Sequence, residues 1–146
     1  MSVSKGLPIS PKKVQFLCTG NSCRSQMAEG FLKHLGGDKF EAYSAGVNPT
    51  QVNPLSVKVM NEVGVDISGQ RSKSVSEFLN QQFDYVITVC DNAKQTCPIL
   101  PGECEKIHWN LEDPADAQGE DEERLIIFRK VRDEIKHKIE GFLYKK

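Results

Sequence analysis

One joint restricts the fold more than any other part of the chain. The apolar run KVQFL at 13–17 breaks at Thr19-Gly20-Asn21, and helical spacing follows at once through Met27, Ala28, Phe31, Leu32 and Leu35. A short β-rich run that passes through a tight turn into an amphipathic periodicity is a strand–turn–helix unit. Gly36-Gly37 ends that helix. The alternation then repeats. Residues 40–44 predict a second strand, closed by Ala45-Gly46. Asn53-Pro54 supplies an N-cap and a first-turn proline for a second helix. Leu55, Val59 and Met60 face the core in that helix, and Gly64 stops it. Residues 74–79 predict a short helix. YVITV at 85–89 is the most strand-like run and delivers Cys90 at its end. A fourth strand is expected at 106–109. A long helix follows at 120–144, with Leu125, Phe128, Val131, Ile135 and Ile139 as its apolar stripe.

Such alternation implies a parallel sheet wrapped by helices. The expectation is an α/β fold: one three-layer domain with a four-stranded parallel sheet flanked by helices. The 146 residues suit a single domain. Residues 1–11, polar and with two prolines, are expected to be a disordered leader, leaving 12–146 as the domain. The net charge is −1, without a basic stripe, which argues against nucleic acid as a partner. No run approaches a membrane span and the start is not a secretory signal, so a cytoplasmic location and no membrane partner are expected. Five cysteines, an odd number without a signal peptide, argue against a secreted disulfide scaffold. They are core residues, metal ligands or reactive thiols.

Ligands of open α/β sheets sit at the carboxyl ends of the strands. Cys18, Cys90 and the loop containing Asp113 all follow expected strands, so one crevice is expected to hold them. Cys18-Thr19-Gly20-Asn21-Ser22-Cys23-Arg24-Ser25 joins strand to helix. A helix N-terminus and a nearby guanidinium both favour a thiolate. Successive backbone N–H groups around Gly20 and Asn21, residue types that tolerate positive φ, can curl into an anion nest. Arg24 offers a planar fork for two oxygens of a tetrahedral oxyanion. Ser22 and Ser25 can donate to the sulfur or the anion. The loop therefore predicts nucleophilic attack by Cys18 on an oxyanion. A buried structural cysteine is the alternative, and the Gly-Asn and Arg-Ser pairs argue against it.

FLCTGNSCRSQMAEG at 16–30 resembles the signature of the thioredoxin-coupled arsenate reductases built on the low-molecular-weight tyrosine phosphatase fold. The resemblance extends through YSAGVNP (43–49), NEVGVDIS (61–68), HWNLEDPA (108–115) and FRKVRDEI (128–135), and so covers the chain from about residue 12. It implies reduction of arsenate to arsenite, with phosphate or sulfate as analogues. It places the catalytic acid on Asp113. On residue type alone, the Asp113-Pro114 pair would equally be a turn cap.

The resemblance also implies an order of thiol steps. Cys18 attacks arsenic, Cys90 attacks Cys18 to give a Cys18–Cys90 disulfide, and Cys97 attacks Cys90 to give Cys90–Cys97. External thioredoxin reduces the last disulfide, and no bound cofactor is implied. Glutaredoxin and mycothiol stay open as donors. A monomer is expected. If 90–97 is helical when reduced, the two Cα atoms lie about 10 Å apart, whereas a disulfide needs about 5.5 Å. Oxidation would therefore unwind 91–96, with Pro98 favouring a hinge. Cys90, Cys97, Cys104 and His108 could instead suggest zinc, but six-residue gaps between the cysteines argue against it. Cys23 is expected to be structural, and Cys104 has no assigned role.

Two departures matter. Some relatives of this kind bind potassium through an asparagine, a glutamate, a serine and an aspartate. Asn21, Glu29 and Ser44 match the first three, but Lys73 stands at the fourth, and an ammonium has donors only. Its charge would replace the ion, or the lysine simply faces solvent; the residue type leaves both open. Gln26 stands where the phosphatases have proline, and Ala115 and Asp116 stand where those enzymes carry aromatic substrate walls. A phosphatase would leave Cys90 and Cys97 idle. A thiol sensor would need no oxyanion loop.

Overall fold

The computed structural model describes residues 10–90 and 104–145. The expected leader, apart from residues 10 and 11, and the segment with Cys97 lie outside the described residues. Seven elements follow in chain order: β1 (Lys12–Cys18), α1 (Arg24–Gly36), β2 (Phe40–Gly46), α2 (Pro54–Glu62), β3 (Tyr85–Thr88), β4 (Glu105–His108) and α3 (Asp121–Lys145). The strands form one parallel sheet in the order β2-β1-β3-β4. The expected four-stranded parallel α/β domain is therefore the observed one.

β1 lies inside the sheet, and its residues from Val14 to Cys18 are buried. Parallel strands covered on both faces read as apolar runs for this reason. Val14, Phe16 and Cys18 face the larger core with the buried residues of all three α-helices. Leu17 faces a smaller cluster with Ala45 and Val86, covered by Val75, Phe78 and Phe83. Phe16, Phe31, Phe128, Met27 and Leu32 are essentially inaccessible, and burial of each such side chain contributes about 1.5–3 kcal/mol.

The helix ends follow their local chemistry. The Asn53 side chain accepts from Leu55 N at 2.8 Å, with Pro54 in the first turn. Gly37, at φ +57°, ends α1 in a conformation that suits glycine. All five expected stripe residues of α3 are buried, joined by Arg132 and Phe142. Arg132 reaches Val59 O at 2.9 Å and Glu62 Oε1 at 2.9 Å, and Arg129 also grips Glu62, which ties α3 to α2.

Three expectations are corrected. Residues 74–79 form only a 3-10 turn, Val75–Phe78, with the Ser74 side chain accepting from Ser76 N. The apolar pair Val75 and Phe78, three apart, fits either geometry, and four residues suffice to cover the smaller cluster. β3 stops at Thr88, and β4 runs one residue earlier than expected, because Glu105 N pairs with Asp84 O and Trp109 N with Thr88 O. Among the described residues, no helix is long and apolar enough to cross a membrane.

Candidate active site

Every carbonyl from Thr19 to Ser22 is engaged away from the loop centre. Thr19 O accepts from Asn48 N, Gly20 O from Thr50 N and Ser22 O from Asn53 N, at 2.9–3.1 Å. Asn21 O accepts from the Ser72 hydroxyl at 2.7 Å. In a trans peptide the carbonyl of one residue and the N–H of the next point in opposite directions. The N–H groups of Gly20, Asn21, Ser22 and Cys23 therefore face the side opposite those carbonyls, the arrangement that an anion nest requires. Only Asn21 takes positive φ, +49°. Gly20 does not, so the expectation of left-handed backbone holds for one of the two. Gly46 makes the close packing possible, since a Cβ there would lie 2.5 Å from Thr19 O and 2.9 Å from Asn21 N.

α1 begins directly behind this nest. It has neither a side-chain cap nor an acidic residue in its first turn, whereas α3 carries three acids there. Its first-turn N–H groups and dipole are left to an external anion. Cys18 is buried, and its Sγ lies 2.8 Å from Ser25 Oγ. Asn21 Nδ2 donates to that same Oγ at 2.8 Å. The serine oxygen accepts from Asn21, which leaves its own hydrogen available to the sulfur. Ser22 instead accepts from the Cys23 thiol at 3.7 Å. Burial pushes the Cys23 thiol up to about 11 despite hydrogen bonds with Ser56 and Ser22. Its buried place behind the loop fits the structural part expected of it.

Arg24 is buried beside the nest. Nη1 donates to Leu111 O at 3.0 Å, and Nη2 lies 3.4 Å from Asp113 Oδ2. Its buried Nε has no hydrogen-bond partner among the described residues. The Nε–Nη2 edge is the bidentate face of a guanidinium, so Leu111 orients the fork while leaving that edge for two oxygens. Asp113 is the turn cap that its residue type suggested, and it also faces the arginine. Oδ1 accepts from Ala115 N and caps the turn Pro114–Asp116, while Oδ2 faces Arg24. The capped turn fixes the carboxyl at the crevice with about a fifth of its side chain exposed.

Cys90 is buried and follows β3, the neighbour of β1. Leu17 pairs with Thr88, and Val89 N donates to Leu17 O at 2.9 Å. Cys90 thus lies one residue beyond the level of Cys18 on the adjacent strand, where backbones are about 5 Å apart. Cys97 lies outside the described residues, as does the expected helix over 91–96. Cys104 precedes β4, at the opposite end of the sheet from Cys18. The extended strand between Cys104 and His108 separates their Cα atoms by about 13 Å, too far for one zinc ion.

Under the loop, Glu29 is buried and receives the Ser44 hydroxyl and the Lys33 ammonium. Lys73 Nζ lies 3.7 Å from Glu29 Oε1 and donates to Arg71 O, while its backbone N donates to Asn21 Oδ1 at 2.8 Å. Burial pulls the Lys73 ammonium below its usual value, against the pull of Glu29. An ammonium therefore stands beside Glu29, with its backbone on Asn21, two of the residues matched to the potassium pattern. Reasoning from the sequence missed Leu111 O as the anchor of Arg24, and it missed the part Gln26 plays. Leu111 is 87 residues from Arg24, and Gln26 reaches Arg71 45 residues away as well as Asn21 nearby, contacts that no local pattern announces.

A crevice of this construction, with a buried cysteine opening a backbone loop ahead of an arginine and an aspartate arriving from a later loop, suits enzymes that attack tetrahedral oxyanions through sulfur. The chain belongs to the low molecular weight phosphotyrosine protein phosphatase family, whose model matches residues 13–146. Within it, this chain is similar to the arsenate reductase of Halalkalibacterium halodurans, 49% identical over 134 residues that cover 92% of this chain and 96% of that protein. It is also similar to the solved structure of an arsenate reductase in the phosphate binding state. That match has a TM-score of 0.77 and 40% identity, covering 92% of this chain and 98% of the other. A thioredoxin-dependent arsenate reductase of Corynebacterium glutamicum matches with a TM-score of 0.71 and 29% identity, covering 98% of this chain and 66% of that one.

Proposed function

We propose that this chain reduces arsenate to arsenite through Cys18, Cys90 and Cys97, with thioredoxin as the external reductant. The Cys18 thiolate attacks arsenic(V) held by the nest and by the Nε–Nη2 edge of Arg24. Asp113 gives a proton to the departing oxygen, which leaves as water. The Cys90 thiolate then attacks Cys18 Sγ. The sulfur–arsenic bond breaks with its electron pair on arsenic, so arsenite departs and Cys18–Cys90 forms. Cys97 attacks Cys90 Sγ, which frees the Cys18 thiolate and leaves Cys90–Cys97. A dithiol of thioredoxin reduces that disulfide by exchange.

The observation that carries this reading is Cys90, buried just after β3 and one residue beyond the level of the nucleophile on the neighbouring strand β1. A phosphatase needs the nest, Arg24 and Asp113 but has no use for a second thiol there. The names of the relatives point the same way. Weak phosphatase activity is expected beside the main reaction, because phosphate shares the shape and charge of arsenate. No resident cofactor enters this sequence, and the Lys73 ammonium takes the place of potassium beneath the nest. Trapping tests the reading. After one equivalent of arsenate, Cys97→Ser should accumulate a Cys18–Cys90 disulfide in peptide mass spectra, together with one arsenite. Arsenite release without that cross-link would contradict it.

A further inference from the structure

Gln26 is fully buried in the first turn of α1, where a long polar side chain needs partners. Its Nε2 lies 3.0 Å from Asn21 O, 2.9 Å from Asn21 Oδ1 and 2.9 Å from Arg71 O. Its Oε1 accepts from Gln70 Nε2 at 2.7 Å, and Gln70 Nε2 also reaches Gln26 O. This fixes the orientation of the amide, because the reversed form would set an acceptor against three oxygens. Two hydrogens are shared among those three acceptors. Two of the acceptors belong to Asn21, the one non-glycine residue with positive φ among the described residues.

We infer that Gln26 is a positioning residue for the nucleophile, acting through Asn21 and Ser25. Its carboxamide clamps both oxygens of Asn21 and so holds that residue in the left-handed conformation. Lys73 N completes the coordination of Asn21 Oδ1 from the other side. With Oδ1 fixed, Nδ2 points to Ser25 Oγ, and that oxygen is held 2.8 Å from Cys18 Sγ with its hydrogen available to the sulfur. Gln70 acts one step further out, by holding Oε1. Gln26 thereby links the segment 70–73 to the reactivity of Cys18 without touching substrate.

This role rests on the proposed chemistry of Cys18 and is tested by a reaction that needs no arsenate. Gln26→Leu and Gln70→Leu are compared with the parent. The readouts are peptide-resolved alkylation of Cys18 by iodoacetamide, kcat/KM for arsenate and for p-nitrophenyl phosphate, and reduction of the oxidised protein by thioredoxin. Gln26→Leu should slow alkylation and lower both kcat/KM values about tenfold, the effect of one good hydrogen bond to a charged group. Reduction by thioredoxin should stay within about twofold, because it bypasses the loop. Unchanged alkylation in folded Gln26→Leu overturns the assignment, as does an equal loss in all readouts. If Gln26→Leu does not fold, Gln70→Leu decides by the same criteria. Failure of the parent to turn over arsenate would sink the proposed function while leaving the alkylation result to stand by itself.

Discussion

Arg24 Nη2 and Asp113 Oδ2 lie 3.4 Å apart, so the side chain proposed to bind the oxyanion also holds the proposed acid. The pair joins the start of α1 to the loop after β4, and Leu111 O fixes the guanidinium plane between them. Charge placement and proton delivery are thereby coupled in one contact.

Removal of the acid tests that coupling. Asp113→Asn keeps the Ala115 N cap through its amide oxygen, so the turn Pro114–Asp116 should persist. Turnover of arsenate should fall about 100- to 10,000-fold, the usual contribution of a positioned acid. The binding of phosphate, measured by calorimetry, should change far less. A turnover close to that of the parent would remove Asp113 from the mechanism.

Arg24→Lys retains the charge but loses the fork. A point charge cannot hold two oxygens and Leu111 O together. We expect kcat/KM for arsenate to fall about 100- to 1,000-fold, as for loss of a preorganised donor. Steady-state kinetics measures this, and a loss below about fivefold would contradict the bidentate role.

Gly46→Ala probes the packing behind the nest. The added methyl would meet backbone atoms of Thr19 and Asn21, which cannot swing aside as a side-chain end can. The nest must shift, so phosphatase and reductase activity should fall together, by about tenfold or more. Thermal melting should drop by a few degrees at most if the strain stays local. Full activity would mean that the loop tolerates displacement.

The tie between α2 and α3 sets an acid limit on stability. The Arg129 hydrogen bond, helped by Arg132, holds the Glu62 carboxyl down at about 2, from an ordinary value of 4.5. A depressed carboxyl stabilises the fold fully above its unfolded value and loses that contribution as the pH falls through its folded one. The loss attributable to Glu62 should therefore lie between about pH 4.5 and pH 2. Glu62→Gln should cost about 1–2 kcal/mol at neutral pH, discounted for the partial exposure of the site. The difference between the variant and the parent should shrink as the pH falls through that window. Denaturant melts at stepped pH measure it, and a pH-independent difference would contradict the assignment.

What the sequence made legible was what is written in adjacent residues. The run 13–35 carried strand, nest, arginine and helix, because each has a local composition. Asn53-Pro54 showed the start of α2 for the same reason. Cys90 and Asp113 were legible as strand-end residues once the alternation of elements was seen. The parts that stayed hidden depend on distant chain. Gln26 stood out in the sequence only as a residue in the place of a proline, and its contacts appear when the 70–73 segment folds over it. The anchor of Arg24 is a backbone carbonyl, which no side-chain motif can announce. The turn Val75–Phe78 looked like a helix because apolar residues three apart suit both geometries.

The central claim is that three thiols act in series and that only the first belongs to the oxyanion loop. Arsenate-dependent oxidation of NADPH, coupled through thioredoxin and thioredoxin reductase, tests it most directly in the parent and in Cys18→Ser, Cys90→Ser and Cys97→Ser. The account predicts loss of turnover in all three variants, with phosphatase activity lost in Cys18→Ser alone. Full turnover in Cys90→Ser or Cys97→Ser would contradict it.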